Sequence, residues 1–208
     1  MPLDLWLAFV AAATALLLIP GPTVLLVLSY ALSQGRSVAV ASATGVALGD
    51  FLAMSASLAG LGALILASAT MFTVLKWVGA AYLVWMGWHL LRSASGKGLG
   101  VQDTAPVASG VVFRQTAIVT ALNPKSIAFF IAFVPQFVDP GAPLIPQFGI
   151  LIATFVALAA INALAYALAA DRLRRVIARP RVVTWLTRMG GVALIGMGVL
   201  TASLRRVA

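Results

Sequence analysis

The sequence predicts an all-α integral membrane protein, with six transmembrane helices arranged as two inverted three-helix repeats and helices one and four broken at proline motifs. Three observations carry this expectation. The chain of 208 residues is 62% apolar and 9% charged, with a mean hydropathy of +1.06. A soluble domain is about 45–50% apolar and about 25% charged. Six windows, near 5–32, 37–66, 70–91, 113–138, 144–170 and 183–204, each hold enough apolar sequence for a span, which needs roughly 20 residues. Finally, the third and sixth windows resemble each other, and the first and fourth are both interrupted by proline.

These numbers exclude several classes. Disorder needs low hydrophobicity. The absence of cysteine removes disulfide scaffolds, thiolate metal sites and thiol relays. The acids are five Asp and no Glu against fourteen basic residues, a net charge of +9. In a soluble protein that balance would point to nucleic acid; in a membrane protein basic residues are first topology signals. The windows leave no room for a separate soluble domain, so residues 1–208 read as one transporter domain. Repeat one covers about 1–92, a polar loop about 93–112, and repeat two about 113–208.

The first window does not read as a cleaved signal. Asp4 stands where a signal carries Lys or Arg, and the apolar run is too long. Midway it holds Pro20-Gly21-Pro22. Two prolines remove two backbone donors and clash with preceding carbonyls, and a helix broken at membrane depth is tolerated only against protein or water. A simple proline kink is the competing reading of one proline. It is weaker for a motif mirrored by Asn123-Pro124-Lys125 in window four.

Window two carries Asp50 after Gly45 and Gly49. A central Asp costs about 2.5–3.5 kcal/mol on insertion scales, so it should face a cavity or pair with a cation, Lys125 or Lys76. Such an Asp can carry a coupling proton or hold a substrate ammonium; a structural Asp–Lys pair is the plainer account. In window three, Lys76 reads as snorkelling, His89 as interfacial, and Tyr82 as either cavity-lining or packing. Trp77, Trp85, Trp88 and Trp185 read as interfacial or packing aromatics.

In window four, Asn123 can cap and Pro124 fits the first helical position. The half-helix beginning there aims free N–H groups and a positive dipole end inward. Lys125 adds a full charge, and the place suits a carboxylate. Lys125 could instead only snorkel, although it lies about a dozen residues from either end of its window. Asn162, central in window five, offers neutral donors and acceptors, and helix–helix hydrogen bonding explains it equally well. In window six, Gly190, Leu194, Met197 and Gly198 match Gly79, Leu83, Met86 and Gly87 at an offset of 111 residues. Two halves of three spans each insert with opposite orientation, the plan of many secondary transporters.

Arg36, Arg92, Lys97, Arg114, Arg172, Arg174, Arg175, Arg179, Arg181 and Arg188 fall on one side, ten of the fourteen basic residues. By the positive-inside rule that side is cytoplasmic and both termini lie outside. Arg205 and Arg206 oppose this orientation. The run at 172–181 reads as a topology anchor rather than a nucleic-acid or lipid-specific site.

Pro20-Gly21-Pro22, Gly45…Gly49-Asp50, Lys76-x-x-Gly79-Ala80-Ala81-Tyr82-Leu83 with Gly87, Asn123-Pro124-Lys125 with Phe129-Phe130, and the C-terminal glycine span together resemble the LysE/RhtB family of amino-acid exporters over essentially the whole length. The resemblance implies a bacterial inner-membrane protein that exports amino acids or close derivatives against proton influx. It is not an enzyme, needs no cofactor or metal, and has the bilayer, protons and the substrate as partners; it binds no nucleic acid and leaves a homodimer open.

A zwitterion needs one partner of each sign. The half-helix starts at Thr23 and Ser126, with Lys125, can take the carboxylate and Asp50 the ammonium. Pro20, Gly21, Pro22, Gly49, Asn123, Pro124, Asn162 and Tyr82 complete the candidate set. A metal-ion exporter or channel would need several ligands at depth, and the sequence offers one central Asp and one peripheral His. An intramembrane aspartyl enzyme would need a second central carboxylate. A structural subunit would leave the breaks and buried charges without purpose.

Overall fold

The computed structural model describes residues 1–67, 69–93, 107–139, 141–177 and 180–203. Most of the loop expected at 93–112 lies outside these residues, as do Lys97, Arg179, Arg205 and Arg206. Among the described residues the chain is all-helical: α1 (Leu3–Leu18), α2 (Pro22–Gln34), α3 (Ala39–Ala67), α4 (Ala69–Ser93), α5 (Ser109–Ala121), α6 (Pro124–Ala132), α7 (Leu144–Ile177) and α8 (Pro180–Ser203). Short 3-10 turns cover Gly35–Val38 and Val134–Phe137.

The two proline motifs break the helix as their chemistry requires. A residue before proline is pushed out of the helical region into extended backbone. Asn123, before Pro124, has φ −70° and ψ 111°, and Ile19, before Pro20, has φ −71° and ψ 117°. Pro22 and Pro124 then each begin a new helix, where a missing N–H costs nothing. The first pair bends by 55° between α1 and α2. At the far end of α2, Gly35 takes φ 72°, a left-handed conformation that favours glycine and stops the helix.

Six spans are expected from the sequence. By length and apolarity, two described helices qualify, Ala39–Ala63 and Leu144–Ala170, and the bent pair α1–α2 makes a third if counted as one span. The helices α5 and α6, of 13 and 9 residues, are each too short to cross alone.

Contacts fix the directions. Trp6 Nε1 donates to Thr154 Oγ1 at 3.1 Å and Asn162 Nδ2 to the Leu17 carbonyl at 3.2 Å, so α1 runs parallel to α7. Backbone approaches of Gly45 to Phe113 and Gly49 to Ala117 set α3 parallel to α5. A β-carbon built on Gly49 would stand 2.5 Å from the Ala117 carbonyl; the bare glycine lets α3 press onto α5 and carries Asp50 to the second break.

Between α4 and α8 the contacts correspond at the 111-residue offset. A β-carbon on Gly87 would meet the Gly191 carbonyl at 2.5 Å and Ile195 at 2.8 Å. One on Gly198 would meet the Ala80 carbonyl and Val84, both at 2.7 Å. Shifted by 111 residues, Gly87 becomes Gly198, Gly191 becomes Ala80 and Ile195 becomes Val84. The matched Leu83 and Leu194 are both buried. Outside this seam the surface is apolar, with Trp77, Trp85 and Trp88 exposed, which suits hydrocarbon rather than water.

Gly87→Ala and Gly198→Ala should each destabilise the protein by about 1–3 kcal/mol, the usual cost of overpacking. Gly60→Ala, where a β-carbon meets nothing within 4 Å, should be neutral or stabilising. Thermal unfolding in detergent checks all three. Equal effects at Gly60 and Gly87 would contradict the packing account.

Candidate functional site

The two breaks lie against each other. Asn123 Oδ1 accepts from the Lys125 backbone N–H at 3.1 Å, an N-cap for α6. Its Nδ2 donates to Thr23 Oγ1 at 3.1 Å, and Thr120 Oγ1 lies 3.2 Å from the same hydroxyl. One asparagine thus caps the second half-helix and ties it to the first. Both half-helices open inward, and the leading N–H groups of a helix have no intrahelical acceptor. Thr23, Val24 and Ser126, at those starts, line a shared cavity.

The other end of the first break is a row of carbonyls. Lys125 Nζ donates to the carbonyls of Leu16 at 3.0 Å and Ile19 at 2.8 Å. Asn162 Nδ2 donates to Leu17 and Tyr166 Oη to Leu18, each at 3.2 Å. Three side chains therefore cover four consecutive carbonyls at the end of α1. Lys125 is only 8% exposed, and a cation there also meets the negative end of the α1 dipole. Gly21 makes room for it: a β-carbon on Gly21 would lie 3.3 Å from both Cε and Nζ of Lys125.

Asp50 lines the same cavity and is 2% exposed. Its Oδ1 has no hydrogen-bond partner. Of the alternatives expected for Asp50, a cavity or a cation partner, the geometry places it on the cavity, and the Lys125 ammonium is directed at the α1 carbonyls. Among the described residues one other buried side-chain atom lacks a partner, Ser42 Oγ. Ser42, Val46 and Asp50 recur every fourth residue and so share one face of α3. The cavity is about 20 Å³, room for roughly one water, and no amino acid fits without movement.

The sequence candidates Thr23, Asp50, Asn123, Lys125, Ser126 and Asn162 all line this cavity. Pro22 and Pro124 are exposed and act by starting the half-helices. Pro20 shapes the first break, Gly21 admits Lys125, and Gly49 seats α3. Tyr82 stands apart: its ring lies 5.5 Å from that of Trp85, in an outer groove with Gly79, Leu122 and Pro124. The side chain of Lys76 lies outside the described residues. Sequence reasoning missed Tyr166, although it falls one turn after Asn162 and that spacing alone put it on the same face.

The half of the fold beyond the cavity, toward the start of α1 and the end of α6, is filled by aromatic rings. Phe129 contacts Phe9, Phe130, Phe133 and Phe155 at 5.3–6.5 Å between centroids, and Phe137 closes the cluster onto Phe9 and Phe133. Phe9, Phe129, Phe130 and Phe155 are fully buried. The opposite half, toward the basic connections, is bordered at the cavity by Val27, Val46 and Tyr166.

A family model described as LysE type translocator matches residues 14–204. An uncharacterized membrane protein of Vibrio cholerae is 32% identical over 98% of this chain and 98% of its own. A homoserine/homoserine lactone efflux protein of Salmonella typhimurium is 32% identical over 99% of both chains. A leucine efflux protein of an Enterobacter species is 31% identical over 67% of this chain and 66% of its own. No solved structure matches the chain.

Asn123→Ala should cost about 1–2 kcal/mol by removing the α6 cap and the link to Thr23. Asn123→Asp keeps the acceptor and should recover part of the loss. Denaturant unfolding of the purified variants measures both, and an unaffected Asn123→Ala would contradict the capping role.

Proposed function

Because the chain belongs to the LysE type translocator family, we propose that this membrane protein is a secondary exporter of amino acids or close derivatives, working across the bacterial inner membrane and driven by proton entry. It is a transporter, not an enzyme. Relatives named for homoserine, homoserine lactone and leucine efflux support the cargo class. The observation that carries the mechanism is Asp50 Oδ1, buried without a partner in a cavity that also receives two half-helix starts.

The cavity is dipolar, as a zwitterion requires. The starts of α2 and α6 offer N–H groups and positive dipole ends to a carboxylate. Asp50 offers an anionic oxygen to an ammonium. Lys125 belongs to the opposite pole in this state, because its donors go to the α1 carbonyls. Six spans in two inverted repeats follow if α1–α2 and α5–α6 each cross as one broken span; the exchanged contacts of Gly87 and Gly198 support that plan. The basic connections then face the cytoplasm and both termini face outward.

Transport proceeds by alternating access. The phenylalanine cluster closes the outer half, and the cavity opens toward the basic side past Val27, Val46 and Tyr166. Asp50 is the coupling carboxylate, reached along the α3 face that bears Ser42. A metal-exporting reading has less behind it: among the described residues no three His, Cys, Asp or Glu side chains cluster.

Counterflow in proteoliposomes with radiolabelled homoserine and leucine tests the cargo class, and at least one should exchange. Asp50→Asn should reduce transport driven by a pH gradient to near background. If that variant keeps the wild-type rate of proton-driven movement, Asp50 is not the coupling site.

A further inference from the structure

The carbonyl end of α1 asks for more explanation than a helix break gives. Its Leu17 and Leu18 carbonyls are covered by the neutral donors of Asn162 and Tyr166, whereas Ile19 and Leu16, the latter also accepting the Ile19 N–H, share one ammonium, that of Lys125. An ammonium has three donors, and these two bonds account for two. In the same cavity a buried carboxylate oxygen has no partner. Leaving a buried acid oxygen unpartnered is costly. A lysine kept for structure alone would sit against that acid. Instead the tethered cation holds the carbonyls and the acid waits for another donor.

We propose that the carbonyls of Leu16 and Ile19 together with Asp50 form a binding site for a primary ammonium group, with the Lys125 ammonium as its resident occupant and the substrate's ammonium as its competitor. The inference rests on the amino-acid reading above for the identity of the competitor, but not for the existence of the site. The cavity of about 20 Å³ holds roughly one water, so a second ammonium enters only when Lys125 withdraws. Loading therefore exchanges a tethered cation for a free one. The chemistry selects groups with N–H donors. A quaternary ammonium carries the charge but cannot bond to the carbonyls. Lys125 is then a gatekeeper of the ammonium pole, and the substrate's carboxylate is left to the starts of α2 and α6.

Chemical rescue tests the site in the full-length protein. Lys125→Ala uncovers the carbonyls and leaves a gap the size of propylammonium. Propylammonium should raise the melting temperature of this variant by roughly 3–5 °C per tenfold increase above its Kd. It should leave the wild type unmoved, and tetramethylammonium should do nothing to either. Lys125→Val, which fills part of the gap, should respond in the same way to the shorter ethylammonium and serves if the alanine variant does not fold. Adding Asp50→Asn should abolish most of the shift. Leucine or homoserine, whichever the wild type exchanges, should bind Lys125→Ala about tenfold more tightly once the competitor is gone. Weaker binding would return Lys125 to the carboxylate and overturn the proposal. An equal propylammonium shift in the wild type, or none in either variant, would also overturn it. Rescue without amino-acid counterflow would uphold the ammonium site and remove the cargo reading instead.

Discussion

A peptide group left without a partner in an apolar interior costs more than most side-chain contacts return, and the end of α1 exposes to that cost the carbonyls of Leu17, Leu18 and Ile19, beside a Leu16 carbonyl met by the Ile19 N–H. Much of the molecule is arranged around meeting it. Lys125 reaches across from α6, and Asn162 and Tyr166 reach from α7. Those three donors bind α1, α6 and α7 into one unit and leave α3 to bring in Asp50. The prolines create the constraint, and the polar residues at depth are its answer. The buried ammonium of Lys125 is held inside the fold by the broken backbone, whose carbonyls accept from it.

The breaks and the polar residues were legible in the sequence because each is expensive. Two proline motifs and a central Asp, Lys and Asn have no place in an ordinary span, so scarcity marked them. Their partners were less legible. Asp50 and Lys125 carry opposite charges, and pairing them is the natural inference from sequence; the carbonyls that Lys125 meets belong to leucine and isoleucine, whose side chains say nothing about the backbone. Tyr166 was overlooked because an aromatic in an apolar helix has many uses. Tyr82 reads from sequence as either cavity-lining or packing, and its helix presents it outward beside Trp85. The helix ends were harder to read than the apolar windows. Windows of apolar residues run across helix ends, and two short helices do not show in a hydropathy pattern as two.

The match between α4 and α8 extends from identity to packing. Gly87 against Gly191 and Gly198 against Ala80 are one contact written twice. Only four positions match by identity in that segment, since what the contact preserves is the absence of a side chain and the close approach of two backbones. Alanine serves almost as well as glycine at one of the four places. Sequence comparison undercounts such a repeat because the constraint is on volume, not on residue type.

The two breaks are built alike but finished differently, and the difference gives the cavity its polarity. The first starts its half-helix from Gly21, which has no side chain and so admits the Lys125 stem. The second starts from Asn123, which caps its own helix and grips Thr23. At the end of α1 the turn itself meets only the Leu16 carbonyl, through the Ile19 N–H, and side chains from elsewhere cover the carbonyls that follow. At the end of α5 they are drawn into the turn itself, with the Leu122 N–H donating to Ile118 and the Asn123 N–H to Thr120. Hence the end of α1 holds donors from α6 and α7, with Lys125 and Asn162 reaching it from the cavity wall, and the end of α5 closes by its own backbone. A symmetric pair of breaks would offer both poles twice and orient nothing. With the α1 carbonyls and Asp50 at one side and the positive dipole ends of α2 and α6 at the other, the polar groups around the cavity are arranged with a direction.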